Sequence, residues 1–222
     1  MFATLTGLGL SSAAGLNAYI PLLLVGSIAR YTELIPLGAA WTWLEHPITL
    51  SILAVLMVVE FAADKFPALD SVNDLVQTLV RPTSGGITFG AGASTVQWSE
   101  ITGQASGVVA DAGGPAWGPV IAGALIALVF HLVKALARPV LNAMSLGLAA
   151  PVASFAEDVV SFLTSLSAIL LPLLILIVFP LMLLAGAWVV RRRRRLRAEQ
   201  REDRRILRGR APEGSGEPRD LS

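Results

Sequence analysis

The chain has 222 residues, of which 54% are hydrophobic and 15% charged, with a formal net charge of +1 and a mean hydropathy of +0.67. Soluble domains carry about a quarter charged residues, so this composition excludes an ordinary water-soluble protein and indicates that a lipid bilayer is the solvent. Cysteine is absent, which excludes a disulfide framework, a thiolate nucleophile and a thiolate metal site.

Six apolar segments are predicted to cross the membrane as helices, because a span needs about 20 mostly apolar residues. In chain order they cover residues 5–29, 47–63, 84–96, 117–137, 140–156 and 163–190. The third and fifth are short enough to re-enter, and the prolines of the sixth predict a kink. Residues 67–80 predict an amphipathic or re-entrant helix, and residues 97–114 a loop. The predicted fold is an all-α polytopic membrane protein with about six transmembrane helices.

Basic residues are concentrated at the C-terminal end of the chain. Residues 191–222 carry twelve arginines against six acids, a net charge of +6, whereas residues 1–190 have five bases against ten acids. Because cytoplasmic segments are enriched in Lys and Arg, we predict a membrane domain over residues 1–190 and a disordered cytoplasmic tail. Six spans then put both termini in the cytoplasm, with only Arg30 among the basic residues outside. The tail is expected to bind anionic lipid headgroups, not nucleic acid.

A short internal similarity relates the two halves of the chain. Residues 15–30 and 123–138 match at five of sixteen positions and share an Ala-Arg ending. The next predicted span of each half ends in acids, which are Glu60 and Asp64 in the first and Glu157 and Asp158 in the second. Three spans per half would give the halves opposite orientations, as in inverted-repeat transporters. The alternative is chance matching between apolar segments.

Acidic residues cluster at the end of the second predicted span. Glu60 and Asp64 share one helix face, Lys65 can pair with either, and Asp70 and Asp74 follow. A carboxylate at membrane depth must be paired, protonated or solvated, which makes it a candidate for function. Two carboxylates on one face can share a proton or bind a cation. Alternatively, this is an interfacial helix end whose charges meet water and headgroups.

Basic residues at helical spacing mark the fourth predicted span. His131, Lys134 and Arg138 lie on one stripe, and Asn142 follows. His131 lies deepest and either relays a proton or makes a polar contact between helices. Lys134 and Arg138 either join a functional site or extend to the inner membrane surface.

Two Arg-Pro pairs, beginning at Arg81 and Arg138, are predicted to open the third and fifth spans, because proline fits the first position of a helix. A helix N-terminus beside arginine can bind a substrate anion, a lipid phosphate or a carboxylate. Both arginines are predicted on the inner face with Asp64, Asp70 and Asp74, and we expect ion pairs among these residues to form an inner gate.

Glu157 and Asp158 fall at the predicted outer end of the fifth span, where we interpret them as a solvated helix cap in preference to a functional pair. Asn17 is predicted to hydrogen-bond across helices, and the glycines and alanines of residues 85–93 predict close helix packing. The sequence contains no nucleophile elbow, zinc-protease motif or P-loop. We therefore predict no cofactor, and a role other than catalysis.

These residues together resemble the bacterial integral membrane family called domain of unknown function 4126. The resemblance runs from about residue 8 to 190 and rests on GLNAYIPLL, E-x-x-x-DK-x-P-x-x-D, RP-x-x-GG and H-x-x-K-x-x-x-RP. It implies a bacterial inner-membrane protein and implies no activity. A more distant similarity links E-x-x-x-D-K to the E-x-G-D-K of lysine-exporter cation/proton exchangers, although the second half lacks a matching Asp-Lys.

Three functions remain open from the sequence. Acids, His131 and basic residues facing one another across glycine-rich helices favour a secondary transporter or channel for a small ion or polar solute. The basic tail favours a non-catalytic scaffold or lipid-binding protein. A metal-dependent membrane enzyme would use Glu60, Asp64 and His131. The small size and the glycine-rich faces also predict a homo-oligomer.

Overall fold

The computed structural model describes residues 1–63, 67–94, 117–145 and 149–209. Every regular element in these ranges is a helix, so the predicted all-α class is confirmed there. The α-helices are α1 (Phe2–Leu16), α2 (Tyr19–Tyr31), α3 (Pro47–Ala63), α4 (Pro67–Ala93), α5 (Trp117–Ser145), α6 (Ala149–Leu170) and α7 (Ile175–Gly209). Two short 3-10 turns, Thr42–Glu45 and Pro172–Leu174, precede α3 and α7.

Three stretches are long and apolar enough to cross a membrane, namely Trp117–Leu136, Val152–Leu170 and Pro172–Arg192. The helices α1, α2 and α3 are apolar but shorter. Large aliphatic side chains on α3, α5 and α7 face outwards, and Val58, for example, is 63% exposed. Apolar surface of this extent is unusual on a protein surrounded by water and is solvated by lipid chains. The helices are therefore those of a membrane protein.

The first predicted span is wrong as a single helix, because the chain breaks after α1. Asn17 adopts extended backbone angles (φ −139°, ψ 126°), and α2 begins at Tyr19. The Oδ1 atom of Asn17 accepts hydrogen bonds from the amides of Tyr19 and Ile20 at 2.9 and 3.1 Å. Asn17 therefore caps a new helix inside a segment that is apolar throughout.

The helix α1 runs antiparallel to α4. Near its start, Gly7 packs so closely that a Cβ there would lie 2.8 Å from the Phe89 ring. At its end, the carbonyls of Gly15 and Leu16 accept hydrogen bonds from Arg81. The C-terminal end of α1 consequently lies beside the middle of α4, in the interior of the bundle.

The helix α2 returns toward the end of the bundle at which α1 begins. The Ser84 hydroxyl of α4 donates to the carbonyl of Ala18 just before α2, and the amide of Gly38, after α2, donates to Ser94 at 3.3 Å. α2 therefore runs parallel to α4 and opposite to α1. The two helices form a hairpin with its tip at Asn17, and we call the end of the bundle where it begins the Met1 end.

The last helix leaves the bundle at the opposite end. A Cβ on Gly9 of α1 would lie 2.7 Å from Ile175, so α7 begins near the Met1 end. Farther along, Gly186 packs against Val133 of α5, at the level where α1 ends. The arginine-rich part of α7 lies beyond this level, at what we call the tail end of the bundle.

Glycines bring the backbones of α1, α4 and α5 into contact. A Cβ on Gly85 would lie 2.7 Å from the carbonyl oxygen of Gly123, and one on Gly15 would lie 2.6 Å from that of Ala127. The predicted close packing of the glycine-rich segment is confirmed. These three helices form the core of the bundle, because small residues are what allows helices to approach in a membrane.

Several predicted boundaries differ from the observed helices. Residues 67–80 and residues 84–93 of the third predicted span belong to one helix, α4, with Pro82 inside it, and Pro139 likewise lies within α5. Of the fifth predicted span, residues 140–145 lie in α5 and residues 149–156 in α6, and the predicted loop, residues 157–162, is also part of α6. The sixth predicted span, residues 163–190, covers the end of α6, the 3-10 turn Pro172–Leu174 and the start of α7. Prolines are generally tolerated inside membrane helices, because neighbouring helices and hydroxyl side chains can take up the freed backbone groups.

The segments aligned in the proposed internal repeat have different structures. Residues 15–30 contain the hairpin tip and most of α2, whereas residues 123–138 lie inside the continuous helix α5. The shared Ala-Arg ending therefore marks the end of a short helix in one case and the interior of a long one in the other.

Candidate functional site

Buried charged side chains from four helices meet near the end of α1. The exposed fraction is 1% for Arg81 of α4, 3% for Glu60 of α3, 4% for Lys134 of α5 and 9% for Asp158 of α6. Moving a single charge out of water costs several kcal/mol even after relaxation of the protein, so each charge needs a partner. The observed contacts provide such partners, as follows.

Arg81 joins α3 and α4 to the end of α1. Its Nη2 atom lies 2.9 Å from Oε1 of Glu60, and its Nε donates to Oε1 of Gln77 at 3.2 Å. Its Nη1 donates to the carbonyls of Gly15, at 2.9 Å, and Leu16. Because the last carbonyls of a helix lack amide partners and carry its negative dipole, a cation is favoured there. Only a guanidinium supplies this many donors in one plane.

Lys134 makes a corresponding connection from α5. Its Nζ lies 2.6 Å from Oε2 of Glu157 on α6 and donates to the carbonyl of Leu16 at 3.1 Å. The carbonyl of Leu16 is therefore shared by Lys134 and Arg81. Each cation is paired with a carboxylate from the helix adjacent to its own in the chain.

Asn17 connects the hairpin tip to α6. Its Nδ2 donates to Oδ1 of Asp158 at 2.9 Å, while its own Oδ1 accepts the α2 amides. The interpretation of Glu157 and Asp158 as a solvated helix cap is wrong, since α6 begins at Ala149 and both acids lie inside it. We refer below to the tip cluster, which consists of Asn17, Glu60, Arg81, Lys134, Glu157 and Asp158.

His131 lies one turn before Lys134 on α5 and is 3% exposed. Its Nε2 is 3.1 Å from Oγ1 of Thr78 on α4, and the direction of this hydrogen bond depends on the tautomer. This is a polar contact between helices, which was one of the two interpretations of this residue. Its part in proton relay stays a prediction.

Six predicted site residues, or their side chains, lie outside the described part of the structure: Asp64, Lys65, Asp70, Asp74, Arg138 and Asn142. Arg81 pairs with Glu60. The later acids that the inner-gate hypothesis assigned to it are among these undescribed residues, so that part of the hypothesis stays a prediction. Among the described residues, no group of three or more His, Asp and Glu side chains is placed to hold a metal ion. The predicted metal set included Asp64, which is not described.

Several interior polar residues were missed by the sequence analysis. Gln77 lies four residues before Arg81, and Ser161 lies three residues after Asp158, so each shares a helix face with a charged residue. Ser84 reaches the backbone at the hairpin tip. Gln77 and Ser161 could have been found from the sequence, because each lies three or four residues from a charged residue inside an apolar helix.

Most of the chain matches a known protein family. A family model described as "Domain of unknown function (DUF4126)" matches residues 4–192. The chain belongs to this family. The match contains every residue of the tip cluster and ends two residues into the arginine-rich segment, so the resemblance seen in the sequence is confirmed. No curated protein and no solved structure matches the chain.

Proposed function

We propose that this protein is a secondary transporter or channel for a small ion or polar solute, with the tip cluster as its binding and gating site. One observation carries the proposal: a helix break lies inside the bundle and is surrounded by buried charges from four helices. In a bilayer, broken helices are tolerated where they are buried in protein or line a cavity, and transporters place their substrate sites at such breaks.

The ion pairs have little value for stability alone. A buried ion pair is often no better than apolar side chains of the same volume, because desolvation offsets the attraction. The chain nevertheless places two such pairs, Arg81 with Glu60 and Lys134 with Glu157, against one helix end. Ionisable residues inside a membrane are retained mainly for function, which supports a transport role.

The cluster is suited to an exchange of partners. A solute anion can replace Glu60 or Glu157 on the cations, and a solute cation can replace Arg81 or Lys134 on the carboxylates. Since both cations also hold the carbonyl of Leu16, either exchange changes the forces on the hairpin tip. Binding is thereby linked to movement of the hairpin against α3 and α6.

The test is flux through the full-length protein reconstituted in liposomes, using a panel of inorganic ions, organic anions and amines. We expect flux of at least one class, and its loss when Lys134→Met is combined with Glu157→Gln. This pair removes both charges together and avoids leaving one of them buried alone. The matched control is Glu33→Gln, a neutralised acid on the surface, which should transport normally. Absence of flux across the panel for the unmodified chain would refute the proposal.

We also propose a revised membrane orientation, in which the tail is cytoplasmic and Met1 lies outside. The hairpin enters and leaves at one end, and the five helices from α3 to α7 then alternate in direction, so the termini lie on opposite faces. The arginines of the tail favour the cytoplasmic side. Because the chain has no cysteine, single cysteines at residues 33 and 198 can be labelled separately from each face. Labelling of both from the same face would contradict this orientation.

A second role concerns the arginine-rich part of α7. The helix continues to Gly209, and the guanidinium of Arg192 lies 5.3 Å from the ring centroid of Trp188. Tryptophan is enriched at the level of lipid headgroups, and arginines just beyond it attract anionic lipids. We expect truncation after Arg192 to reduce the phosphatidylglycerol retained by the purified protein while phosphatidylcholine is unaffected. Equal loss of both lipids would argue against specific binding.

A further inference from the structure

The ion pair between Lys134 and Glu157 is the more exposed of the two pairs in the tip cluster. The side chain of Glu157 is 20% exposed, whereas the side chains of Glu60 and Arg81 in the other pair are 2% and 1% exposed. Lipid chains cannot solvate the charge of a carboxylate, so the exposed part of Glu157 needs water or headgroups beside it. The outside therefore reaches the cluster at Glu157.

The tip cluster lies much closer to the tail end of the bundle than to the Met1 end. On α5, the next charged residue after Lys134 is Arg138, about 6 Å farther along the helix axis. In the other direction, α5 carries no Lys, Arg, Asp or Glu as far as its first residue, Trp117, about 25 Å away. On α7, Arg191 lies about 8 Å beyond Gly186, which packs at the depth of the cluster. Water and headgroups therefore approach the cluster from the tail end.

On the Met1 side of the cluster, α1 is in direct contact with its neighbours. A Cβ on Gly9 would lie 2.6 Å from Cβ of Ala168 on α6 and 2.7 Å from Cδ1 of Ile175 on α7. Two residues earlier and on another face of α1, a Cβ on Gly7 would lie 2.8 Å from the ring of Phe89 on α4. These distances leave no room even for a methyl group. We call the contact of Gly9 with Ala168 and Ile175 the Met1-side seam.

The helices α4 and α5 are also in contact on this side of the cluster. A Cβ on Gly86 would lie 2.8 Å from the carbonyl oxygen of Val120. Nearer the Met1 end, a Cβ on Gly92 of α4 would lie 3.2 Å from the amide nitrogen of Gly7. The described contacts of α1 and α4 therefore close the bundle around α1 between the cluster and the Met1 end.

We infer that the solute enters the tip cluster from the tail end, past Glu157, and that the Met1-side seam closes the way to the other face. The inference rests on the proposed transport function and names the side from which the site is loaded. In the orientation proposed above, that side is the cytoplasm. Release at the other face then requires Gly9 to separate from Ala168 and Ile175.

Glu157 is then the positioning residue at the entrance. Its Oε2 lies 2.6 Å from Nζ of Lys134, which in turn donates to the carbonyl of Leu16. A cationic solute takes the place of Lys134 on the carboxylate, and an anionic solute takes the place of Glu157 on the ammonium group. In either case the pair separates before the solute reaches the hairpin tip.

The experiment measures how fast single cysteines in the full-length protein react with a membrane-impermeant, positively charged methanethiosulfonate. The reagent is applied to one face of the vesicles at a time, and cysteines at residues 198 and 33 identify the tail face and the Met1 face. The chain has no cysteine of its own, so each variant reports one position. Glu157→Cys is combined with Lys134→Met, which avoids leaving one charge buried alone. It should react at least about ten times faster from the tail face, because a closed site reacts only when the structure opens.

Two further cysteines on α6 control this result. Val160→Cys lies at a position that is 41% exposed to lipid, and it should hardly react from either face, because a thiol in apolar surroundings does not form the reactive thiolate. Ala153→Cys lies one turn before residue 157 on the same helix face and changes no charge. It should show the same preference for the tail face, and it replaces the double variant if that one does not fold.

The Met1-side seam is tested at Ser165, which is fully buried on α6 one turn before Ala168. Ser165→Cys should not react from the Met1 face. Adding Gly9→Ala places a methyl group where Ala168 and Ile175 now lie, so this reaction should become at least about ten times faster. The matched control is Gly118→Ala, whose new Cβ has nothing within 4 Å and which should leave the reaction of Ser165→Cys unchanged.

The outcomes separate the two proposals. Equal reaction of the Glu157→Cys variant from both faces, or faster reaction from the Met1 face, overturns the entrance and leaves transport standing if flux is found. Reaction of Val160→Cys as fast as that variant overturns it as well, and reaction of Ser165→Cys from the Met1 face as fast as a cysteine at residue 33 overturns the closed seam. Absence of flux across the panel refutes the transport function, and solute entry with it, even where labelling from the tail face is found.

Discussion

The helices α1 and α7 show opposite relations between hydrophobicity and burial. α1 is rich in glycine, alanine and serine, and ten of its 15 residues are buried. The first half of α7 is almost entirely aliphatic, yet its large side chains face outwards, with Leu184 68% exposed. In lipid, apolar side chains gain little by leaving the solvent, so close packing and polar contacts decide which helix lies inside. The least hydrophobic surface therefore forms the core.

Breaking the polar contacts of α1 should have the largest effect on stability. Arg81→Met leaves Glu60 buried and removes the donors to Gly15 and Leu16, so we expect a loss of about 3–5 kcal/mol in the free energy of unfolding. Denaturation in mixed micelles measures it. Arg30→Met, at an exposed position, is the control and should change stability by less than about 0.5 kcal/mol. Similar values for the two variants would contradict a structural role of the buried charge.

Disturbing the glycine contacts should have the next largest effect. In Gly123→Ala the new methyl group would overlap the carbonyl oxygen of Gly85 and the Cβ of Phe89, so we expect a loss of about 1–3 kcal/mol. Gly118→Ala is the same change on the same helix, and nothing lies within 4 Å of its Cβ. That control should be neutral or more stable, since alanine favours helix over glycine. Equal destabilisation of the two would show that the backbones of α4 and α5 are farther apart.

Truncating the lipid-facing surface should have the smallest effect. Leu184→Ala on α7 removes an exposed side chain that is solvated by lipid, so we expect a change of less than about 0.5 kcal/mol. Leu10→Ala on α1 is the matched comparison at a fully buried site, where losses of about 2–5 kcal/mol are usual. If Leu184→Ala were as costly as Leu10→Ala, α7 would have to pack against another protein surface.

Hydropathy predicted the helical membrane class but not the direction of the first helices. A hydropathy window reports which solvent a segment prefers, and both arms of the hairpin prefer lipid. Asn17 was singled out for a contact between helices, which it makes, while its cap of α2 was not recognised. Capping by asparagine is a local signal, so the break could have been found from the residue type and its position.

Ion-pair partners were harder to predict than the ionisable residues themselves. Glu60, Arg81 and Lys134 stood out because charges are rare in apolar segments. Their pairing depends on which helices become neighbours, and spacing along one helix does not contain that information. Arg81 was assigned to Asp64, Asp70 and Asp74, and the described structure adds Glu60 of the preceding helix as its partner. Glu157 and Asp158 were misread because the fifth predicted span ended at residue 156, whereas α6 continues to Leu170.

The carbonyl oxygen of Leu16 has one consequence beyond its contribution to folding. Its two lone pairs are divided between a guanidinium on one side and an ammonium on the other. The cations of the Glu60–Arg81 and Lys134–Glu157 pairs thus both donate to one oxygen atom. If one cation moves away, the hydrogen bond from the other cation to this oxygen changes as well. A change at the Glu60–Arg81 pair can therefore affect the Lys134–Glu157 pair, and the reverse, through the carbonyl of Leu16.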